Sequence, residues 1–435
     1  MKPSGRALSR AAGLLLGLAT PLLLAGRAPF AGALIVALLA VVLAPSRAAL
    51  FRVPTRAFKE PLALALIALL AVWLLSSALS LDPAHSFEMV ARSFALVVAG
   101  GVLARFLAAH PEAGALALKS LVAAAFLAAA LAVVGRYGVP EVLGLVRGRG
   151  WVEPSMGSVL KAYGSVAACL LPVVLWAGWR LRSAWRALGL LHAPLAVAVM
   201  IGGPSHAGLF GAAVMAGFAI CALGLKPGVG LNAALALISA ALLAGVGLAL
   251  AQIPTLPAPE SLGERVVLEP FDVGPPAAFL DAHRQAIWGF ARDRALEAPV
   301  VGHGPDVSNQ LPGARTVIEG FEQEFIPGHP HNWALELFVD TGAVGVAAVL
   351  VVLALLVRRL ARAEVARPER AAGLALFGAF WGSSFFNFSF WENWWQTTLL
   401  VLLVLIAGQP RSHGPALARA PESGKNGPTP HSRAA

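Results

Sequence analysis

GLNAALALISAALLAGVGLALAQ, residues 230–252, contains no Asp, Glu, Lys or Arg. At 1.5 Å per residue a helix of this length reaches about 35 Å, enough to cross the ~30 Å of hydrocarbon in a bilayer. Apolar runs of about 17–24 residues with almost no charge recur along the chain, at about 11–26, 29–45, 61–81, 89–108, 113–134, 163–179, 187–202, 206–224, 230–252, 333–357, 371–388 and 394–408. The pattern predicts an all-α, polytopic helical membrane protein with about twelve transmembrane helices. Composition agrees: of 435 residues, 58% are hydrophobic and 13% charged, against roughly 45–50% and 25% in soluble domains. A cytosolic enzyme of this length needs more charged surface than the chain supplies. Cys169 and Cys221 both lie in apolar runs and offer neither a disulfide framework nor a metal pattern. The first run follows Lys2, Arg6 and Arg10 like a signal peptide, but Pro21 and the closely following second run point to an uncleaved first span.

The formal net charge is +10, and its distribution points to membrane orientation rather than to nucleic acid. With the N-terminus in the cytoplasm, 22 of the 33 Lys and Arg fall on the cytoplasmic side, including Arg47, Arg52, Arg56 and Lys59 and the cluster Arg358, Arg359, Arg362, Arg367 and Arg370. The cytoplasmic side then carries +17 and the opposite side −7, as the positive-inside rule requires. An even number of spans returns the C-terminus to the cytoplasm, where the polar, Pro-rich residues 409–435 read as a disordered tail. The expected organisation is spans 1 to 9 over 1–252, a periplasmic loop over 253–332 and spans 10 to 12 over 333–408, in a bacterial inner membrane.

Two external segments exceed simple connectors. The first, about 135–162, carries Arg136, Arg147, Arg149 and Lys161 on the side where basic residues are disfavoured. The second opens on Pro254, Pro257 and Pro259, breaks again at Pro275 and Pro276, and then shows helical spacing from Asp281 to Glu297, with Ile287, Trp288, Ala291 and Ala295 near one face. The stretch PGHPHNWALELFVDTGAVG, Pro327–Gly345, joins this loop to the tenth span. It sets His331 and Asn332 at the membrane surface and Glu336 and Asp340 in the first turns. Asn332 is placed to cap the helix, and Gly342 with Gly345 would let a neighbouring helix approach closely. Ionisable residues so near hydrocarbon mark a candidate site.

His331-Asn332, nine residues and then Gly342-x-x-Gly345 resembles the signature of the O-antigen ligase family, which also includes O-antigen polymerases and bacterial protein O-oligosaccharyltransferases. Upstream, His283-Arg284-Gln285-Ala286-Ile287-Trp288 and then Pro299-Val300-Val301-Gly302-His303-Gly304 are similar to that family's Arg four residues before a Trp, followed by a Pro and a Gly-x-Gly turn. Twelve spans with one large external loop before the tenth is also the family's layout.

The resemblance implies a glycosyltransferase that moves a glycan from undecaprenyl pyrophosphate to an acceptor hydroxyl, such as that of lipid A-core, on the periplasmic side without nucleotide, cofactor or metal. On that footing Arg284 would hold the pyrophosphate, since a guanidinium bonds phosphate oxygens bidentately and stays charged. His331, whose intrinsic pKa lies near neutrality, would deprotonate or orient the acceptor, with Glu336 as an alternative base. The family usually carries a Ser-Arg pair between the seventh and eighth spans. Here the stretch is Gly202-Gly203-Pro204-Ser205-His206-Ala207-Gly208, so His206 stands where an Arg is expected. Arg147, Arg149 and Lys161 are the available substitutes for the missing cation.

Three other readings compete. His303, His329 and His331 with Asp306 could suggest a metal, but no recognisable ligand spacing occurs. Phe385, Phe386, Phe388, Phe390, Trp391, Trp394 and Trp395 surround Glu392 and read chiefly as an interfacial aromatic belt, with stacking on sugar faces as a second use. A transporter or flippase fits the number of spans, yet no internal repeat is evident and the ionisable residues sit at the rim rather than the midplane.

Overall fold

The computed structural model describes residues 3–44, 58–148, 157–268 and 281–409; Arg149, the Pro275–Pro276 break and the tail after 409 lie outside them. Of the described residues, 77% are helical. Before the long loop come α1 (Pro3–Ala19, extended by a 3-10 turn at Thr20–Leu24), α2 (Arg27–Leu43), α3 (Pro61–Ala78), α4 (Pro83–Ala109), α5 (Pro111–Tyr137), the short α6 (Glu141–Val146), α7 (Gly157–Leu181), α8 (Ser183–Gly202), α9 (Ala207–Gly224) and α10 (Val229–Gln252). The loop contributes α11 (Ala282–Glu297), and α12 (Trp333–Leu360), α13 (Arg367–Ser384) and α14 (Asn393–Ala407) follow. Three of the helices start on proline, at Pro61, Pro83 and Pro111, where the absent N–H has no intrahelical partner to lose.

Nine helices among the described residues are long and apolar enough to cross a membrane: α1 with its turn, α3, α4, α5, α7, α8, α9, α10 and α12. The chain is thus a multi-pass α-helical membrane protein. Two more, α2 and α14, are apolar but have only 17 and 15 residues, and α13 begins with Arg367, Glu369 and Arg370. The centre of the bundle is α7, whose most apolar window is 83% buried, whereas that of α10 is 6% buried. Helices α9 and α13 pack closely: a Cβ on Gly211 would lie 2.6 Å from the Ala379 carbonyl oxygen, so the two backbones meet where no side chain intervenes.

The long loop is a small folded lid. Its sheet consists of three two-residue strands, β1 (Arg265–Val266), β2 (Val317–Ile318) and β3 (Gln323–Glu324), with β1 parallel and β3 antiparallel to β2. As the periodicity of residues 281–297 predicts, Ile287, Trp288, Ala291 and Ala295 are buried, here against Leu311, Ile318, Phe325 and the first turns of α12 at Leu335 and Val339. Arg292 fastens the lid to the bundle by donating to the carbonyls of Leu250, Ile253 and Pro254 at the end of α10.

Gly342 serves a purpose different from helix packing. Its φ is +61° and ψ −172°, so α12 is interrupted there. The lid stretch 299–304 fills the gap. His303 and Gly304 amides donate to the carbonyls of Val339 (3.0 Å) and Asp340 (2.8 Å), while the amides of Ala343 and Val344 donate to Pro299 (2.8 Å) and Val300 (3.2 Å). A Cβ on Gly342 would lie 2.3 Å from Val300, and one on Gly302, at φ +71°, 2.3 Å from Asp340. The neighbour is therefore a loop rather than a helix, and Gly345 makes room for the side chain of Thr341 on the same helix.

The aromatic group also departs from expectation. Phe385, Phe388, Trp391, Trp394 and Trp395 are all less than a tenth exposed and pack on one another, as in Phe388–Trp394 (4.6 Å) and Trp73–Trp391 (4.9 Å). A belt facing lipid headgroups would leave its rings uncovered; these form protein interior at the lid end of the bundle.

Candidate functional site

His331 is the pivot of the lid end. It has φ +57°, a conformation that costs a non-glycine residue about 1–3 kcal/mol and persists only when its surroundings impose it. Two contacts do so: its amide donates to Nδ1 of His329 (3.1 Å), and its own Nδ1 donates to the Asn387 carbonyl (2.7 Å). Because a carbonyl only accepts, Nδ1 must carry the proton. In the neutral ring Nε2 is then the open acceptor. Burial lowers the pKa to about 4 against the pull of the Asn387 carbonyl, and Lys161, Arg284 and His283 push the same way. His331 is neutral at pH 7, with a lone pair to offer.

The three cations and imidazoles that influence His331 come from two distant elements, α7 (Lys161) and α11 (His283 and Arg284). Asp281 caps α11 by accepting from the Arg284 amide at 2.7 Å, which sets Arg284 in the first turn. The Arg284 guanidinium makes no hydrogen bond or ion pair among the described residues. Burial draws its pKa down while Asp281 opposes; a guanidinium starting so high stays charged. Of the sequence candidates, Lys161 and Arg284 thus act electrostatically on His331 from two separate elements.

Other candidates are committed elsewhere. Asn332 caps α12, accepting from the amides of Ala334 and Leu335 at 3.1 Å each, and is fully buried. Glu336 is 0% exposed, with one oxygen accepting from Ser389 Oγ (2.6 Å) and the other from the Phe390 amide (2.7 Å). Those bonds tie the start of α12 to the turn that supplies the His331 partner Asn387. Arg147 donates from Nε to the Leu24 carbonyl (3.0 Å), joining α6 to the end of α1. His303 reaches the Arg294 carbonyl (2.8 Å) at the end of α11 rather than converging with His329 and His331, and no group of three or more possible metal ligands occurs among the described residues.

His206 is exposed at the start of α9. The turn around it packs on the segment that carries Lys161: a Cβ on Gly203 would lie 3.3 Å from the Leu160 carbonyl oxygen, and one on Gly208 2.6 Å from that of Gly164. A cation placed at 206 would therefore reinforce the same cluster. In a transfer assay His206→Arg should hold or raise the rate, whereas His206→Ala should cost about 1–2 kcal/mol, the value of one charge-assisted bond. Wild-type kinetics in His206→Ala would remove this turn from the site.

Sequence reasoning missed the cavity beside the cluster. It occupies about 600 Å³ between α2, α4 and α14, and His329, stacked edge-on to His331 with ring centroids 4.2 Å apart, lines it. Leu34, Leu38, Leu96, Leu103, Leu400 and Val404 form its apolar floor; Arg27, His85, Arg92, Asp306 and Glu392 ring its mouth. No local spacing links these residues, since they come from four parts of the chain.

A half-buried neutral histidine under the influence of two cations thus lies near a cavity that is part apolar and part polar. This chain is similar to proteins named "Putative polysaccharide ligase". That of Rickettsia prowazekii is 27% identical over 128 residues, and those of Rickettsia conorii and Rickettsia typhi are 24% identical over 128 residues each. Each match covers 29% of this chain and 31% of the relative, so the chain spans about a third of the length of the curated relatives it matches. No family model matches. The likeness supports a ligase-type glycan-handling function in general terms.

Proposed function

We propose that the protein is an O-antigen ligase-type glycosyltransferase that moves a glycan from undecaprenyl pyrophosphate to an acceptor hydroxyl on the periplasmic side of a bacterial inner membrane. The observation that supports this reading is that Lys161 and Arg284 act electrostatically on His331, whose ring neighbour His329 lines a cavity with an apolar floor. The carrier's hydrocarbon suits the apolar floor between α2, α4 and α14, which takes the place of the lipid tails around it. The acceptor oxygen forms a bond to the anomeric carbon of the donor sugar as the bond from that carbon to the phosphate oxygen breaks. The departing pyrophosphate keeps the electron pair, and Arg284 and Lys161 stabilise the charge it gains. The acceptor proton passes to Nε2 of His331, or His331 orients the hydroxyl without taking the proton; substitution separates the two roles. Glu336 and Asn332 hold the histidine's frame.

A polymerase joining lipid-linked units would use the same groups. A transporter would claim the interrupted α12, because broken helices build transport sites. Here, however, residues 299–304 satisfy the freed backbone groups. Deleting the gene in its host and resolving lipopolysaccharide on a gel should leave bare core, with polymer stranded on its carrier. Core bearing a single repeat unit would instead identify a polymerase, and normal lipopolysaccharide would overturn both.

A further inference from the structure

The mouth of the cavity holds a group that the transfer step does not use. Asp306 sits at φ +61°, and the structure imposes that conformation from several sides. Its amide donates to Asp340 Oδ2 (3.2 Å), the carbonyl of Pro305 accepts from Ser86 Oγ (2.8 Å), the Gly304 amide donates to the Asp340 carbonyl (2.8 Å), and the Leu81 amide donates to the His303 carbonyl (3.0 Å). Strain maintained by that many bonds serves to aim a side chain. The carboxylate is aimed at the cavity, with Oδ2 3.0 Å from His85 Nε2 and Oδ1 without a partner among the described residues.

The surroundings select a ligand class. Glu392 is the second carboxylate at the mouth; it meets Arg27 at 3.5 Å, and the Arg27 guanidinium lies 5.0 Å from the centroid of the Trp394 ring. Trp391 adds a further aromatic wall. Arg27 and Arg92 balance the two carboxylates at the mouth, and Asp306 Oδ1, which only accepts, suits a neutral O–H donor beside them, while an anionic group is met by the arginines. Aromatic walls beside carboxylate and imidazole acceptors fit a sugar ring, with its apolar C–H face and its equatorial hydroxyls. Burial raises the pKa of Asp306 while its bond to His85 opposes that, so hydroxyls that replace lost water are favoured partners.

We propose that Asp306, oriented by His85 and flanked by Glu392, is a hydroxyl-reading subsite for the sugar nearest the pyrophosphate of a lipid-linked glycan. The inference rests on the transferase reading and adds to it a residue that sets specificity for the donor's sugar.

The test uses the full chain in lipid nanodiscs and follows its intrinsic tryptophan fluorescence, to which Trp391 and Trp394 at the cavity contribute among 11 tryptophans. Two probes are titrated: undecaprenyl pyrophosphate alone, and the same carrier bearing one N-acetylhexosamine. The wild type should bind the sugar-bearing carrier about 10-fold or more tightly than the bare one, as expected for a hydrogen bond to a charged group. Asp306→Gly accepts φ +61° without strain, so it keeps the loop while removing the carboxylate; it should bind both probes equally, at the wild-type affinity for the bare carrier. Asp306→Asn, which also tolerates this conformation, should retain only part of the preference. An undiminished preference in Asp306→Gly, or no preference in the wild type, would overturn the subsite and leave the transferase reading standing. A wild type that binds neither carrier would overturn both.

Discussion

Turnover in His331→Ala should fall by roughly 10²–10⁴, the usual share of general acid–base catalysis, with carrier binding nearly unchanged. His331→Gln divides the two roles: a positioning side chain is partly replaced by another hydrogen-bonding group, and a base is not. Because burial holds the His331 pKa at about 4 rather than near 6.5, the acidic limb of kcat/KM should fall near pH 4. The sign for stability follows from the same depression. The neutral ring's contribution is complete above the unfolded pKa of 6.5 and is lost as pH falls toward 4. For Arg284, even Lys should fail, since the charge is kept but the planar fork that grips two phosphate oxygens is not. Near-normal transfer in well-expressed Arg284→Ala and His331→Ala proteins would sink the mechanism.

The second large effect is on folding. Gly342→Ala places a Cβ 2.3 Å from the Val300 backbone at a residue whose φ is +61°. Left-handed strain and overpacking each contribute about 1–3 kcal/mol, so thermal unfolding in detergent should show a loss of about 2–6 kcal/mol. Gly345→Ala is the control, because its Cβ meets the Thr341 side chain rather than fixed backbone, and it should cost less. Equal loss in the two variants would mean that the junction of α12 with residues 299–304 is not what the Gly-x-x-Gly spacing protects.

These two residues also show what a sequence discloses. The apolar runs, the cap at Asn332 and the buried face of α11 were legible because each rests on a local rule: length, a side chain three residues from an amide, or a period of 3.6. Gly342 was legible as important and misread in purpose, since helix contact and a left-handed break both call for glycine. The partners of His331, Glu336 and Asp306 were not legible. Asn387, Ser389 and His85 lie 56, 53 and 221 residues away from them in the chain, and nothing local records a pairing made only by the fold. Arg147 and Lys161 look alike as loop cations, and only the fold separates the one that grips the Leu24 carbonyl from the one whose charge acts on His331.

The fastening of the lid to α12 has a kinetic consequence. Swinging residues 299–304 away would break four backbone hydrogen bonds and leave their partners bare at the interruption of a membrane helix, where water is scarce and each unpaired group costs several kcal/mol. A roof riveted down in this way does not open upward for each turnover. On the proposed function, a lipid-linked donor would slide in sideways between helices, from within the sheet of lipid it already occupies. Rates should then follow the carrier's mole fraction in the bilayer, and diluting the vesicles in buffer should leave the turnover per enzyme unchanged.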